Sequence, residues 1–174
     1  MSKSKFRGTI TIKDFQFAFP RTNFSGERFN DGKRSFNIRL DDPELIEELQ
    51  RMGMDIREWH GQNAGPDDEP IRHIPVKINF RGDKEMDPVV WLINGKTGSR
   101  NMLDEESLSR IDRLQQTRSI TRLICTLNIR EYDPNPMNPN GGCAAYCQKL
   151  LVYFEPDEID MILAGEDMPE DVPF

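Results

Sequence analysis

The sequence predicts a mainly β protein, a small and partly open barrel with two short helices and an acidic C-terminal tail. Three observations carry this. Apolar residues recur with period two along most of the chain, the spacing of strands with one buried face. Two segments, 42–53 and 104–114, instead combine helix start signals with an apolar stripe at helical spacing. Residues 155–174 hold eight acidic residues and no basic one.

Residues 8–19 read as the first strand. Ile10 and Ile12 share one phase, and Phe15, Phe17 and Phe19 the other. The change of phase near Lys13 and Asp14 predicts a bulge, which bends a strand where a barrel closes. Residues 34–40 alternate cleanly, with Phe36, Ile38 and Leu40 on one face and Ser35, Asn37 and Arg39 on the other. Asp42 suits a helix N-cap and Pro43 the first helical position, where a missing N–H leaves no partner unmet. Leu45, Ile46 and Leu49 form that helix's stripe, and Gly53 can end it. Residues 61–70, rich in Gly, Pro and Asp, read as a loop.

In residues 71–81, Ile74, Val76, Ile78 and Phe80 point inward, leaving Lys77, Asn79 and Arg81 outside. Pro75, on the outward phase, argues for an edge strand. The apolar run at residues 89–93 reads as a buried strand. Residues 104–114 form the second capped helix, with Leu108, Ile111 and Leu114 facing the core. Residues 120–132 form a long strand. Thr121, Leu123, Cys125, Leu127 and Ile129 take one face, and Arg122, Thr126, Asn128, Arg130 and Tyr132 the other. A loop at 133–142 and a last strand at 143–154 complete an antiparallel hairpin.

A bent first strand, a basic loop into the second and a late hairpin with a long loop fit the OB-fold. The expectation is an OB-fold-like five-stranded antiparallel barrel with extra strands over residues 1–154. Residues 155–174 are expected to form a flexible tail that docks a partner. The OB-fold binds oligonucleotides across its second and third strands and through two flanking loops. The corresponding loops here are residues 20–33 and 133–142.

The net charge of −7 speaks against nucleic-acid binding only if the chain is taken whole. Setting the tail aside leaves 23 basic against 22 acidic residues, and residues 1–40 hold nine basic against three acidic. Screening limits charges to a reach of about 8–10 Å, so local clusters decide phosphate binding. No stretch approaches the ~20 apolar residues of a membrane span. The basic N-terminus lacks the apolar run of a secretory signal. Three cysteines, an odd number, fit a reducing cytosol, so the expected location is cytoplasmic.

Single-stranded nucleic acid is held by cations that track phosphates and rings that stack on bases. Arg21, Arg28, Lys33 and Arg34 interleave with Phe24 and Phe29, and Arg39 continues the basic face. Lys77, Arg81, Arg122, Arg130 and Tyr132 extend the candidate set. The alternative for Phe24 and Phe29 is packing beneath their own loop. Trp59, Trp91 and Tyr146 are further stacking candidates, although Trp91 lies in an apolar run that suits the core. Cys125, Cys143 and Cys147 lack paired zinc-ligand spacing and read as buried thiols, so no metal or other cofactor is expected. No nucleophile and base constellation appears, so no catalytic residue is expected. Asp83, Glu85 and Asp87 are conceivable Mg²⁺ ligands but read better as a solvated turn. Asn94-Gly95-Lys96-Thr97-Gly98 lacks the spacing of a phosphate-binding loop.

Glu170-Asp171-Val172-Pro173-Phe174 ends the sequence with two carboxylates, a small hydrophobe, a proline and a phenylalanine. This tip resembles the C-terminal peptide of bacterial single-stranded-DNA-binding proteins, which recruits replication, recombination and repair enzymes. The resemblance implies that Glu170, Asp171, Pro173 and Phe174 bind a partner protein. The body resembles instead a group of phage-encoded OB-fold single-stranded-DNA-binding proteins. That likeness rests on Asn23-Phe24-Ser25-Gly26, Phe29-Asn30, Gly32-Lys33-Arg34, Phe36 and Leu103-Asp104-Glu105-Glu106-Ser107. It implies a non-enzymatic coat for single-stranded DNA in the host bacterial cytoplasm during phage replication or recombination. Two other readings stay open, a virion scaffold that binds no DNA and a Mg²⁺-dependent nuclease. Oligomeric state is also open, a homo-oligomer included.

Overall fold

The computed structural model describes residues 5–27, 32–61, 65, 69–82 and 87–156. The elements run β1 (Lys5–Lys13), β2 (Gln16–Phe17), β3 (Arg34–Arg39), α1 (Pro43–Arg51), β4 (Arg57–Trp59), β5 (Ile71–Ile78), β6 (Val89–Asn94), β7 (Arg100–Leu103), α2 (Ser109–Gln116), β8 (Ile120–Tyr132) and β9 (Gly142–Phe154).

Strand order is β1-β8-β9-β5-β3-β2. The ends of this order are joined by the chain itself, because β1 leads into β2 through Asp14 and Phe15. Asp14 takes a positive φ of 57°, which turns the strand at the predicted change of phase. One bent strand thus pairs β8 with its first part and β3 with its second. That is the plan of an OB barrel, in which β3, β5, β8 and β9 serve as strands two to five.

Two pairings are parallel, β5 with β9 and β6 with β9. On one edge β9 meets β8 along its whole length, and on the other it meets β5 first and β6 afterwards. The β6–β7 hairpin is therefore a wing on the C-terminal half of β9. An extra residue in β9, Gln148, falls between the pairs Leu127–Cys147 and Thr126–Lys149 and bends the long hairpin.

Pro75 corrects the edge-strand expectation. β5 has β3 on one side and both β4 and β9 on the other. Pro75 lies between the residues that pair with β4 (up to His73) and those that pair with β9 (from Val76). Its missing N–H therefore deprives neither neighbour.

α1 starts as expected, with the Asp42 carboxylate accepting from the Glu44 N–H at 3.0 Å. Leu49 is buried, and Gly53 follows the helix at φ +96°. α2 begins later than expected. Asp104 and Ser107 exchange hydrogen bonds, the Ser107 N–H with the Asp104 carboxylate and the Asp104 N–H with the Ser107 hydroxyl. A turn then carries the chain to Ser109. Leu108 and Ile111 are fully buried.

The core joins the inward rows of β1, β3, β5, β8 and β9. At one end four rings pack together. Phe36 lies parallel to Phe24 at 5.2 Å and to Phe15 at 6.3 Å, and Phe17 stands edge-on to Phe36 at 5.7 Å. Burying each ring contributes about 1.5–3 kcal/mol. Thr121, expected on the core face of β8, is exposed because a register shift between Ile120 and Arg122 turns it out. No helix among the described residues is long and apolar enough to cross a membrane.

Candidate nucleic-acid interface

Alternation sends Ser35, Asn37 and Arg39 to the outside of β3, and the register then lines up the rows. Ser35 lies opposite Lys77, Lys77 opposite Tyr146, and Tyr146 opposite Asn128. Beside this row, Ala144 lies opposite Arg130 and Arg130 opposite Phe6. Further along the hairpin, Arg122 lies opposite Tyr153.

Three cation–ring pairs occupy this outer face. Lys77 Nζ is 5.8 Å from the Tyr146 ring centre, the Arg130 guanidinium 5.7 Å from Phe6, and the Arg122 guanidinium 5.6 Å from Tyr153. All fall within the ~6 Å over which a ring attracts a cation. Pairs of a cation and a flat ring suit a polyanion that also carries flat rings.

A groove of about 510 Å³ opens beside β3, with Phe17, Phe19, Arg21, Asn37 and Trp59 among its walls. The loop after β2 folds over it. The Ala18 N–H donates to the Asn37 carbonyl at 2.9 Å, and Asn23 bridges Ser35. Asp112 on α2 anchors the loop. One carboxylate oxygen accepts from the Thr22 hydroxyl and, at 2.9 Å, from the Phe24 N–H; the other accepts from the Ser25 N–H at 2.9 Å. The Gly32 N–H donates to the Gly26 carbonyl at 3.1 Å. Gly26 has φ +75°, and a Cβ there would stand 3.0 Å from the Gly32 oxygen, so that close approach requires glycine.

His73 is buried on the groove side of β5. Its Nδ1 lies 3.2 Å from Asn37 Oδ1, and its ring is 4.9 Å from Phe19. Burial, and then the nearby charge of Arg57, lower its pKa below the ordinary histidine value. Burial raises the Cys147 thiol to about 12 and pushes Cys125 further up. Cys143, half-buried on the same phase of β9, donates to the Met52 carbonyl.

The structure sorts the sequence-derived candidates. Arg39, Lys77, Arg122, Arg130 and Tyr132 share the outer face, but Arg122 and Tyr132 are ten residues apart on β8, about 33 Å along the strand. Arg39 pairs with Asp41 at 3.2 Å and Arg122 with Asp14. Exposed pairs such as these hold about 0–1 kcal/mol, little hindrance to exchange for a phosphate. Tyr132 lies against Gly142, where a Cβ would stand 2.6 Å from its hydroxyl. Arg21 and Lys33 are exposed at the two ends of the loop, and Arg81 follows β5, where its N–H donates to Asp87 at 2.6 Å.

Two candidates lie on the core side. Phe24 is fully buried among Phe17 and Phe36, so its ring offers no face to a base. Arg34 lies on the core phase of β3, mostly buried, and binds Glu105 at 2.9 Å. Trp91, expected in the core, sits half-exposed on the outward phase of β6. Arg28, Phe29, Asp83 and Glu85 lie outside the described residues, as do Glu170, Asp171, Pro173 and Phe174.

Phe19, His73 and Phe6 are additions that sequence reasoning missed. Phe19 shares a phase with Phe15 and Phe17, but the chain leaves the barrel after Phe17 and carries Phe19 to the outside. Phe6 precedes the alternating stretch, so no period reported its direction.

No protein-family model matches the chain, and no curated protein matches it significantly. Its structural neighbours are phage single-stranded-DNA-binding proteins. One is the C-terminally truncated single-stranded-DNA-binding protein of bacteriophage Enc34, with 14% identity, a TM-score of 0.48 and coverage of 86% of this chain and 87% of that one. Another is gp2.5, a single-stranded-DNA-binding protein encoded by bacteriophage T7, with 9% identity, a TM-score of 0.39 and coverage of 90% and 93%. The OB assignment stands on the strand order itself.

Proposed function

We propose that this protein binds single-stranded DNA without sequence preference during phage-type replication or recombination. One observation carries the reading: the outer face of an OB barrel bears Lys77–Tyr146, Arg130–Phe6 and Arg122–Tyr153 as cation–ring pairs. The cations take phosphates and the rings take bases, a combination that tolerates any sequence. Arg21, Lys33, Arg39 and Arg81 extend the phosphate track, with Arg28 and Phe29 assigned to it from sequence alone.

The test is a mobility shift of a polythymidine oligonucleotide across a salt series. The affinity falls with a log–log slope near −0.7 per phosphate contacted. Replacing Lys77 and Arg130 together by alanine reduces that slope by about 1.4. No shift at low salt overturns the reading.

Residues 155–174 form the second part of the proposal. The acidic tip recruits replication or recombination enzymes through Glu170, Asp171, Pro173 and Phe174, a reading supported by its resemblance to the bacterial C-terminal peptide. The same polyanion competes with DNA from within the chain at high effective concentration. Ending the chain at Glu155 then tightens DNA binding and abolishes enzyme recruitment. Unchanged or weaker DNA binding refutes the competition.

A further inference from the structure

We propose that the indole of Trp59 seats one unpaired nucleobase at the mouth of the groove beside β3. The inference rests on the single-stranded-DNA reading and names a subsite for it, one that draws on a strand outside the five of the barrel.

Trp59 ends β4, which lies between β3 and β5 in sequence and pairs with the edge of β5 opposite β3. Its side is held in place while much of its ring stays in water. Phe19 stands edge-on to the indole at 5.7 Å and 87°. The chain at Gly61 lies against the indole benzo ring, close enough that a Cβ there would be 3.4 Å from it. Yet Trp59 is 48% exposed, and it lines the groove. A large ring that is positioned by its neighbours and open to the groove is a stacking platform. Phe19 and Gly61 occupy an edge and part of a face, and a flat ring makes the largest contact with the planar surface that remains.

The rest of the groove selects the kind of ring. Arg21 and Asn37 line the same space. A cation beside a stacking surface suits a ring attached to a phosphate, and a side-chain amide suits a polar ring edge. His73, behind Phe19 and beside Asn37, adds no acidic group to the wall. Glu58, the neighbour of Trp59, is engaged by Arg72 at 3.6 Å. A nucleobase meets these requirements together, and an unpaired one can turn its face to the indole, whereas bases inside a duplex are covered on both faces by their neighbours. The site therefore separates single strands from duplex by access to the ring.

The chain has two tryptophans, so the difference in emission between the wild-type protein and Trp59→Phe isolates Trp59. Titration with a polythymidine oligonucleotide should quench this component with the midpoint of the mobility shift, and a duplex of equal length should leave it unchanged. Trp59→Ala should weaken polythymidine binding about 5- to 150-fold, the range of one stacked base. Trp59→Phe should recover part of the loss, with melting temperatures close to wild type for both. DNA binding with no change in the Trp59 component, and undiminished affinity in Trp59→Ala, overturns the subsite and leaves the general function standing. Equal quenching by duplex also overturns it. Absence of any DNA shift overturns both.

Discussion

Replacing Phe24 by alanine separates a core ring from a base-stacking ring. Phe24 is fully buried, parallel to Phe36 at 5.2 Å and edge-on to Phe17 at 5.7 Å. Truncating a buried phenylalanine removes its transfer free energy and leaves a cavity, together about 3–5 kcal/mol. The two ring pairs lie toward the upper end, since each aromatic pair contributes about 0.5–1.5 kcal/mol beyond burial. Collapse is limited, because Asp112 fixes the backbone on this residue and the next. For a domain of this size, 1 kcal/mol shifts the melting temperature by about 2–4 °C, so Phe24→Ala should melt roughly 6–20 °C lower. Urea unfolding followed by circular dichroism gives the same quantity directly. Phe24→Leu keeps most of the volume and should lose about half as much stability. Measured well below its melting temperature, folded Phe24→Leu should bind polythymidine within about twofold of wild type, a difference near 0.4 kcal/mol. A Phe24→Ala protein as stable as wild type but ten times weaker on DNA would refute this placement of the ring.

Asp112→Asn should destabilise the protein by about 1.5–3 kcal/mol, because the amide NH₂ must face a backbone N–H that the carboxylate accepted. Unfolding curves measure it, and a change under 0.5 kcal/mol would show that the loop is held by other contacts. Cys125 and Cys147 are buried with raised pKa values, so a thiol reagent at pH 8 should reach them only as fast as the protein opens. Labelling as rapid in native as in urea-unfolded protein would contradict their burial. His73 has a folded pKa below its unfolded value of about 6.5. The unfolded state therefore takes up a proton first on acidification. The His73 contribution to stability is whole above about pH 6.5 and declines as pH falls below it. His73→Gln should flatten that part of the stability profile, and an unaltered profile would exclude His73 as its source.

Much of the barrel was legible because β3 and the greater part of β5 and β8 alternate, and alternation reports which residues share a face. The Asp42-Pro43 helix start was legible because an N-cap acts through its immediate neighbours. Alternation does not report which strand lies alongside. The parallel contacts of β9 and the interior place of β5 were therefore hidden, and Pro75 argued for the wrong position. β4 has three residues, all exposed, too short for any period to register. The inward placement of Phe24 and Arg34 was hidden for a related reason. Phe24 lies in a loop, where spacing carries no direction, and Arg34 takes an inward phase that a cation occupies only at a strand end beside Glu105. The outward set on β8, including Arg122, Arg130 and Tyr132, came straight from the pattern.

The central place of β9 has a consequence for how the protein is made. β1 with β8 form one part of the barrel, β5 with β3 and β2 another, and the β6–β7 wing a third. Among the described residues, ladder pairing reaches all three only through β9, the last of the described strands in sequence. A ribosome adding about 5–20 residues per second needs roughly 6–23 s to go from β3 to the end of β9. Through that interval Phe36, Ile38 and Ile74 have no closed barrel to enter. The nascent chain presents these apolar side chains before it can bury them, and chaperone occupancy should persist until β9 is available to pair.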